Sequence, residues 1–285
     1  MKICRFNDTR IGIVEDQTIT DISDLFEPYA DLRYPVPLGD QLIRNLDELL
    51  QNAQQSGSKR TTHQIGGVVL NSPVANPSKI IGTPSNYMAH RIEAGADREI
   101  SVFSQGKRRS VEEQGLFLKA NSSLVGPGEG IVISLPERRT DHEAEIGVVI
   151  GRKARNIDVD QSVDYIAGYA MAMDIVVRGP EDRSFRKSLD TYSLLGPWLV
   201  TRDEVPDHND ISFKLMVNGE VRQEANTSEM LMNINKQIAW ASTFYTLYPG
   251  DIIMTGTCQG VGPLKPGDVI EMEADYIGKM TLLVN

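Results

Sequence analysis

The chain has 285 residues, 40% hydrophobic and 24% charged, with a formal net charge of -10: the make-up of a globular protein with one large domain, or a main domain and a small companion. The acidic balance excludes sequence-independent nucleic-acid binding, which draws its affinity from lysine and arginine against phosphate, and the one dense basic patch, Lys107-Arg108-Arg109, reads as a solvated face. No apolar run approaches the roughly 18 residues that cross a bilayer, the opening MKICRFNDTR lacks the apolar stretch of a secretory signal, and Cys4 and Cys258 fall in no metal-type spacing, so a cytoplasmic protein with no membrane partner and no zinc is expected.

In chain order, MKICRF and RIGIVED predict two short strands around the turn residues Asn7 and Asp8, with QTITDISDLF as a third. Leu42, Ile43, Leu46, Leu49 and Leu50 then fall at helical spacing, in a helix that begins near Asp40. The polar, aperiodic QNAQQSGSKRTTHQ reads as a linker. Residues 1–65 are therefore expected as a small α+β unit and residues 66–285 as a larger catalytic one. The larger part is strand-rich, from KIIGT through AEIGVVIG, YIAGYAMAMDIVV and GPWLVT to KMTLLVN. Within LMVNGEVRQ, Asn218-Gly219 signals a hairpin, because a type I′ turn needs positive φ at both central positions. One clear helix is predicted after a Thr227 or Ser228 cap, with Met230, Leu231, Ile234, Ile238 and Ala241 on its apolar face. Strands and helices do not alternate regularly, so the fold class is α+β, a mixed β-rich core rather than a doubly wound parallel sheet.

The chemistry concentrates in TDHEAEIGVVIG, where Glu143 and Glu145 enter an apolar run two residues apart and so share one face of a strand. They are either an exposed strand edge or two ligands of a cation, and hard oxygen donors suit Mg²⁺, Ca²⁺ or Mn²⁺. Asp174 lies among apolar and small residues in GYAMAMDIVVR, where a lone carboxylate is costly. Arg178 is its local ion-pair partner, or else Asp174 is a third ligand and Arg178 faces an anionic substrate. His90 and Glu93, three apart, fit one face of a helical turn, as an exposed pair or as a base with its orienting carboxylate. Lys187 precedes an Asp-Thr pair, as a surface lysine or a site residue. Thr255-Gly256-Thr257 forms a turn or presents amides and hydroxyls to a small ligand, without the pattern of a phosphate loop.

Taken in order, these segments resemble the fumarylacetoacetate hydrolase family over roughly residues 79–285. The pattern N-Y-x-x-H-x-x-E stands as Asn86 to Glu93, F-x-K as Phe117 to Lys119, and D-x-E-x-E as Asp141 to Glu145. G-Y-x-x-x-x-D-x-x-x-R runs from Gly168 to Arg178, K-S-x-D-T-x-x-x-x-G-P from Lys187 to Pro197, and T-G-T-x-x-G-V-G from Thr255 to Gly262. The resemblance implies a β-roll catalytic domain behind a small N-terminal domain, usually as a homodimer. It implies that Glu143, Glu145 and Asp174 hold Mg²⁺ or Mn²⁺ and that His90 and Glu93 activate water from a short lid helix. Lys187 would neutralise oxyanion charge, and Tyr87, Lys119, Arg178 and Thr257 would contact a 2-oxo acid substrate.

The implied reaction is hydrolysis of a C–C bond in an acylpyruvate-like 2,4-dioxo acid, with the enolate stabilised by the cation. Loss of CO₂ or movement of a proton through the same enolate would make a decarboxylase or an isomerase, and a ligand-binding protein without turnover is the alternative of another class. The His90–Glu93 pair favours hydrolysis over isomerisation, and His90, Glu93 and Lys187 together argue against a protein without turnover. The chain departs from the family pattern at Gly179 and Glu181, where many members have Asp and Gln, at Cys258 in place of a proline, and in the long charged segment from Gly95 to Gly115.

Overall fold

The computed structural model describes residues 1–30, 34–56, 59–97 and 109–285. Lys107, Arg108 and most of the charged segment 95–115 lie outside the described residues. Strands β1 (Lys2–Phe6), β2 (Arg10–Glu15) and β3 (Thr18–Asp21) form a meander. Its turns place Asn7, Asp8 and Asp16 at φ of 45°, 66° and 50°, left-handed positions that Asn and Asp tolerate best after glycine. Helices α1 (Ser23–Ala30), α2 (Gln41–Arg44) and α3 (Leu46–Gln55) follow. Asp40 caps α2, its carboxylate accepting from the Ile43 amide at 3.1 Å. The stretch expected as a linker is partly ordered: α3 runs to Gln55, and β4 (Thr62–Gln64) pairs with β3. The N-terminal strands extend the main sheet, since Ile3 of β1 lies opposite Leu199 in the strand Ser193–Thr201.

Next come β5 (Leu70–Asn71), β6 (Ile80–Gly82), α4 (Met88–Ala96), α5 (Val111–Gln114), β7 (Phe117–Lys119), β8 (Leu124–Val125), β9 (Thr140–His142) and β10 (Ala144–Ile150). Then follow β11 (Ile166–Asp174), β12 (Val176–Val177), α6 (Arg183–Arg186), β13 (Ser193–Thr201), β14 (Ser212–Val217) and β15 (Glu220–Asn226). The chain continues with α7 (Ile234–Phe244), β16 (Ile252–Met254), β17 (Gly262–Pro263), β18 (Val269–Ala274) and β19 (Gly278–Leu283). The large sheet has the order β4-β3-β2-β1-β13-β11-β10-β16-β6-β7, with β5 beside β1 and β8 beside β13. Two smaller sheets run β12-β9-β17 and β15-β14-β18-β19. Pairing is antiparallel except for β16 with β6 and β13 with β8, so the fold is mixed α+β and β-rich, as expected.

β10, β11 and β13 are buried on both faces, which is why they read as apolar runs. Val149, Ala170, Ala172, Leu195 and Leu199 pack with Leu42, Ile43, Leu46 and Leu49 of α2 and α3. Ile146, Val148, Tyr169, Met171 and Met173 join a second core that includes Ile234, Ile238 and Ala241 of α7. Glu145 and Asp174 share side-chain parity with Val149 and Ala172, so they lie on the α2–α3 face, toward its far end. There the β10–β11 pair leaves the large sheet. β9 pairs with β12, Asp141 opposite Val176, and the Asp174 amide donates to the Glu143 carbonyl at 3.0 Å across the junction. The two strands form one ribbon running through two sheets, with the acids at its corner.

Asn218 and Gly219 take φ of 53° and 80°, the type I′ hairpin read from the sequence. The helix expected from Thr227 or Ser228 begins later. Thr227–Glu229 is a single 3₁₀ turn capped by Asn226, and α7 starts at Ile234 behind its own cap, Asn233. Two cap signals stand in series, and Asn86 holds the stretch between them extended. Leu231 N donates to the Asn86 carbonyl and Met232 N to its side-chain oxygen, both at 2.8 Å.

The ribbon's packing makes a stability prediction. A Cβ on Gly168 would stand 2.1 Å from the Val200 carbonyl oxygen, whereas one on Gly67 would meet nothing within 4 Å. Gly168→Ala is expected to lower stability by about 1–3 kcal/mol, and Gly67→Ala to change it by no more than about 0.5 kcal/mol. Denaturant melts of the two variants check this, and equal midpoints would contradict the packing described.

Candidate metal centre and active site

Glu143, Glu145 and Asp174 are all buried, and each offers an oxygen within 4.8 Å of the others. Cations from three segments answer them. Lys187, which follows α6, donates to Glu143 at 2.7 Å and also to Asp174. Lys119, the last residue of β7, donates to Asp174 and, at 2.7 Å, to the Tyr192 carbonyl. Arg178 reaches Glu143 at 3.3 Å. Burial opposes ionisation of Glu143, but Lys187 and Arg178 hold its carboxyl down at about 2. Glu145 has no ion pair among the described residues, only the Gly256 amide at 2.7 Å. Its burial, followed by repulsion from Asp174, pushes it well above the carboxylate range. An all-oxygen donor set in which one acid lacks a counter-charge fits a hard divalent cation of the Mg²⁺ or Mn²⁺ type.

Arg178 does not pair with Asp174. Its Nε donates to Asp141 at 2.7 Å, and Arg139 holds the other oxygen of the same carboxylate at 2.7 Å. The reason is extension: four residues of strand carry Arg178 roughly 13 Å from Asp174, and β12 sets it beside the Asp141 end of β9. Asp141 belongs to the D-x-E-x-E spacing, and its role as the anchor of Arg178 was not assigned from sequence.

His90 and Glu93 share one face of α4, with His90 Nδ1 3.2 Å from Glu93 Oε2. The other Glu93 oxygen accepts from the Gly260 amide at 2.9 Å, which ties α4 to the glycine-rich loop. Burial opposes ionisation of Glu93, but His90 and that amide hold its carboxyl below the usual range. With Nδ1 engaged, Nε2 is the nitrogen left to take a proton, and His90 is near enough to Glu143 to act on its charge.

Of the expected ligand contacts, Thr257 is engaged within the protein, whereas among the described residues the Tyr87 hydroxyl is not. The Thr257 hydroxyl donates to the Ala144 carbonyl at 2.9 Å and accepts from Gln223 at 2.8 Å. Thr255 donates to the Ile146 carbonyl at 2.8 Å, so of this Thr-Gly-Thr turn it is the Gly256 amide that reaches an acid. Tyr87 is buried edge-on against Phe213, 6.3 Å between ring centres, and its hydroxyl has no partner among the described residues. His142 turns away from the acids to Gln223 at 2.9 Å. Gln223 binds His142, the Ala144 amide, Thr257 and the Cys258 carbonyl, and no sequence signal marks it.

A profile of the fumarylacetoacetate hydrolase C-terminal domain matches residues 79–285. The chain belongs to the fumarylacetoacetate hydrolase family. It is 46% identical over 284 residues to a maleylpyruvate hydrolase of Aquipseudomonas alcaligenes, covering 100% of this chain and 99% of that one. A maleylpyruvate hydrolase from Sphingobium sp. SYK-6, solved with manganese(II) and pyruvate, is similar at 36% identity and a TM-score of 0.83, covering 100% of this chain and 98% of the other. A 5-carboxymethyl-2-hydroxymuconate Δ-isomerase from Mycobacterium smegmatis is similar at 26% identity and a TM-score of 0.70, covering 100% and 99%. The family thus includes hydrolases and isomerases at this level of likeness. Among the described residues no helix is long and apolar enough to cross a membrane.

The acid cluster predicts metal-binding behaviour. Calorimetric titration with Mn²⁺ is expected to show binding that Glu143→Ala weakens at least about 100-fold, and equal affinity would refute the ligand assignment. Glu145 keeps its proton well above 4.5 in the metal-free site. Metal binding must displace that proton, so affinity falls as pH is lowered, and heats measured in buffers of different ionisation enthalpy should reveal the release.

Proposed function

We propose that this protein is a metal-dependent hydrolase that cleaves the C–C bond of an acylpyruvate, a 2,4-dioxo acid of the maleylpyruvate type. The observation that carries the reading is the placing of a carboxylate-oriented histidine on α4, docked through Gly260 beside a buried three-acid site. Isomerisation needs no water-activating base, whereas hydrolysis does. The likeness to two maleylpyruvate hydrolases supports the same choice.

A divalent cation held by Glu143, Glu145 and Asp174 would supply Lewis acidity toward the 2-oxo-carboxylate end of the substrate. The chain's own residues do the rest. Arg178 and Lys187, both buried, attract the substrate carboxylate and neutralise oxyanion charge as it develops. Lys119, which donates to both Asp174 and the Tyr192 carbonyl, holds the Asp174 carboxylate in place. His90 Nε2 takes a proton from water while Glu93 holds the ring's tautomer and orientation. The hydroxide adds to the acyl carbonyl, the bond from that carbon to the pyruvate methylene breaks, and the electron pair passes to the methylene carbon. Proton return to that carbon gives pyruvate and a carboxylic acid. Tyr87 and Thr257 belong to this proposal as residues lining the site. A homodimer is proposed from the family resemblance, and a cytoplasmic location from two free, buried cysteines.

Metal-loaded protein incubated with maleylpyruvate and acetylpyruvate is expected to release pyruvate. Glu93→Gln should lower kcat by about 10²- to 10⁴-fold with KM little changed, because the orienting carboxylate acts on water rather than on substrate binding. Shifted double bonds or CO₂ in place of pyruvate would replace the reading with an isomerase or a decarboxylase, and tight binding without turnover would make this a binding protein.

A further inference from the structure

Beside the acids lie two arginines that neither the metal site nor the His90–Glu93 pair uses. Asp182 caps α6, its carboxylate accepting from Ser184 N at 2.9 Å, and the short helix sets Arg183 and Arg186 directly before Lys187. The Arg183 guanidinium carbon lies 5.5 Å from the centre of the Phe117 ring, and Lys187 Nζ lies 5.3 Å from the same centre. Arg183 thus reaches the aromatic side chain that also borders the lysine bound to Glu143 and Asp174. Gln114 fixes its direction, accepting from Arg183 Nη2 at 2.9 Å and from Ser85 at 3.3 Å. Arg186 Nε donates to the Glu181 carbonyl at 2.7 Å.

Both arginines are half-buried, yet among the described residues neither makes an ion pair with a carboxylate. The nearby acids are committed elsewhere. The Glu181 side chain, which replaces the amide found in many family members, turns outward to Arg138 and binds it through both oxygens at 3.0 and 2.7 Å. The Asp182 carboxylate is occupied in capping α6. Burial acts first against the charge on Arg186, and Arg178 and Arg183 then repel it. Burial also opposes the charge on Arg183, while Glu143 and Asp174 favour it. Clustered like charges without counter-ions are costly, and a bound anion removes the cost. A guanidinium's planar fork matches a carboxylate.

We propose that Arg183, supported by Arg186, receives the distal carboxylate of a substrate whose 2-oxo-carboxylate end sits at the acids, so that the enzyme selects acylpyruvates that are diacids. The proposal rests on the acylpyruvate reading above and adds to it a specificity-determining residue. The mid-chain carbonyl is thereby held between the two carboxylate receptors.

The test compares kcat/KM for maleylpyruvate, a diacid, with kcat/KM for acetylpyruvate, a monoacid, in Mn²⁺-loaded wild type, Arg183→Gln and Arg183→Lys. Arg183→Gln is expected to lower the diacid-to-monoacid ratio about 10- to 100-fold, chiefly through KM for the diacid. Arg183→Lys should fall between, since it keeps the charge and loses the fork. A ratio equal to that of wild type overturns the proposal, because a merely structural arginine would affect both substrates alike. If Arg183→Gln fails to fold, Arg186→Gln gives the same reading with a smaller drop. If wild type cleaves neither substrate, the acylpyruvate reading fails and the subsite is read by calorimetry with maleate. Maleate binding that weakens at least 10-fold in Arg183→Gln supports it, and no binding, or equal binding, overturns it.

Discussion

Three carboxylates crowded at one corner of a ribbon set the terms for everything around them. At 4.8 Å, two unit charges repel by about 3–4 kcal/mol even with an effective dielectric of about 20, so Glu143, Glu145 and Asp174 cannot all be ionised without help. The help comes from separate parts of the chain: Lys119 from the edge of the large sheet, Lys187 from beyond α6, Arg178 from beyond β12, and the Gly256 amide from the loop after β16. Glu145 remains under-compensated, and that shortfall is the strongest physical reason for a cation to reside there.

The same requirement explains details of the surrounding backbone. Gly256 has φ of 95°, and a side chain there would press on Asn86 and on the Thr83 carbonyl, so only glycine lets its amide face Glu145. Asn86 in turn ties three segments, donating to the Met232 and Thr255 carbonyls at 2.9 and 2.8 Å and accepting from Met232 N. It stands one residue before Tyr87 and four before His90. The placing of the histidine, of the Gly256 amide and of the stretch leading into α7 is therefore one linked arrangement, and disturbing any part of it moves the dyad relative to the acids.

Much of this was legible in the sequence where local rules decide. Alternation put Glu143 and Glu145 on one face, the apolar surroundings of Asp174 demanded a partner, helical spacing joined His90 to Glu93, and Asn218-Gly219 specified its turn. Where the answer depends on register between distant strands, the sequence was mute or misleading. Arg178 looked like the neighbour of Asp174 because only sequence distance was visible, but strand geometry sends it to Asp141. Lys119 was reached only through the F-x-K resemblance, as a substrate contact, and its bond to Asp174 arises only when β7 is brought beside the end of β11. Gln223 shows no local oddity, and its importance arises only when β15 meets the β9–β10 junction. Thr257 carried a motif that pointed to a ligand, while its hydroxyl completes the backbone pairing of the strand that bears the acids. The N-terminal strands read as a separate unit because nothing local reveals that β1 joins β13.

The ribbon itself has one more consequence. All three acids come from a single two-stranded piece of chain, whereas the histidine pair, the two lysines and the arginine pair are delivered by other segments. Retention of the cation and choice of reaction are thus written in different parts of the sequence. On the proposed function, substitutions in α4 or α6 would alter which bond is broken, or which end of a molecule is gripped, without removing any of the three acids that would hold the cation. Such a division of labour gives a physical basis for a shared scaffold whose relatives carry the names of both hydrolases and isomerases. On the proposed function, it also marks α4 and α6, rather than the conspicuous acidic strand, as the segments that set the chemistry of this chain.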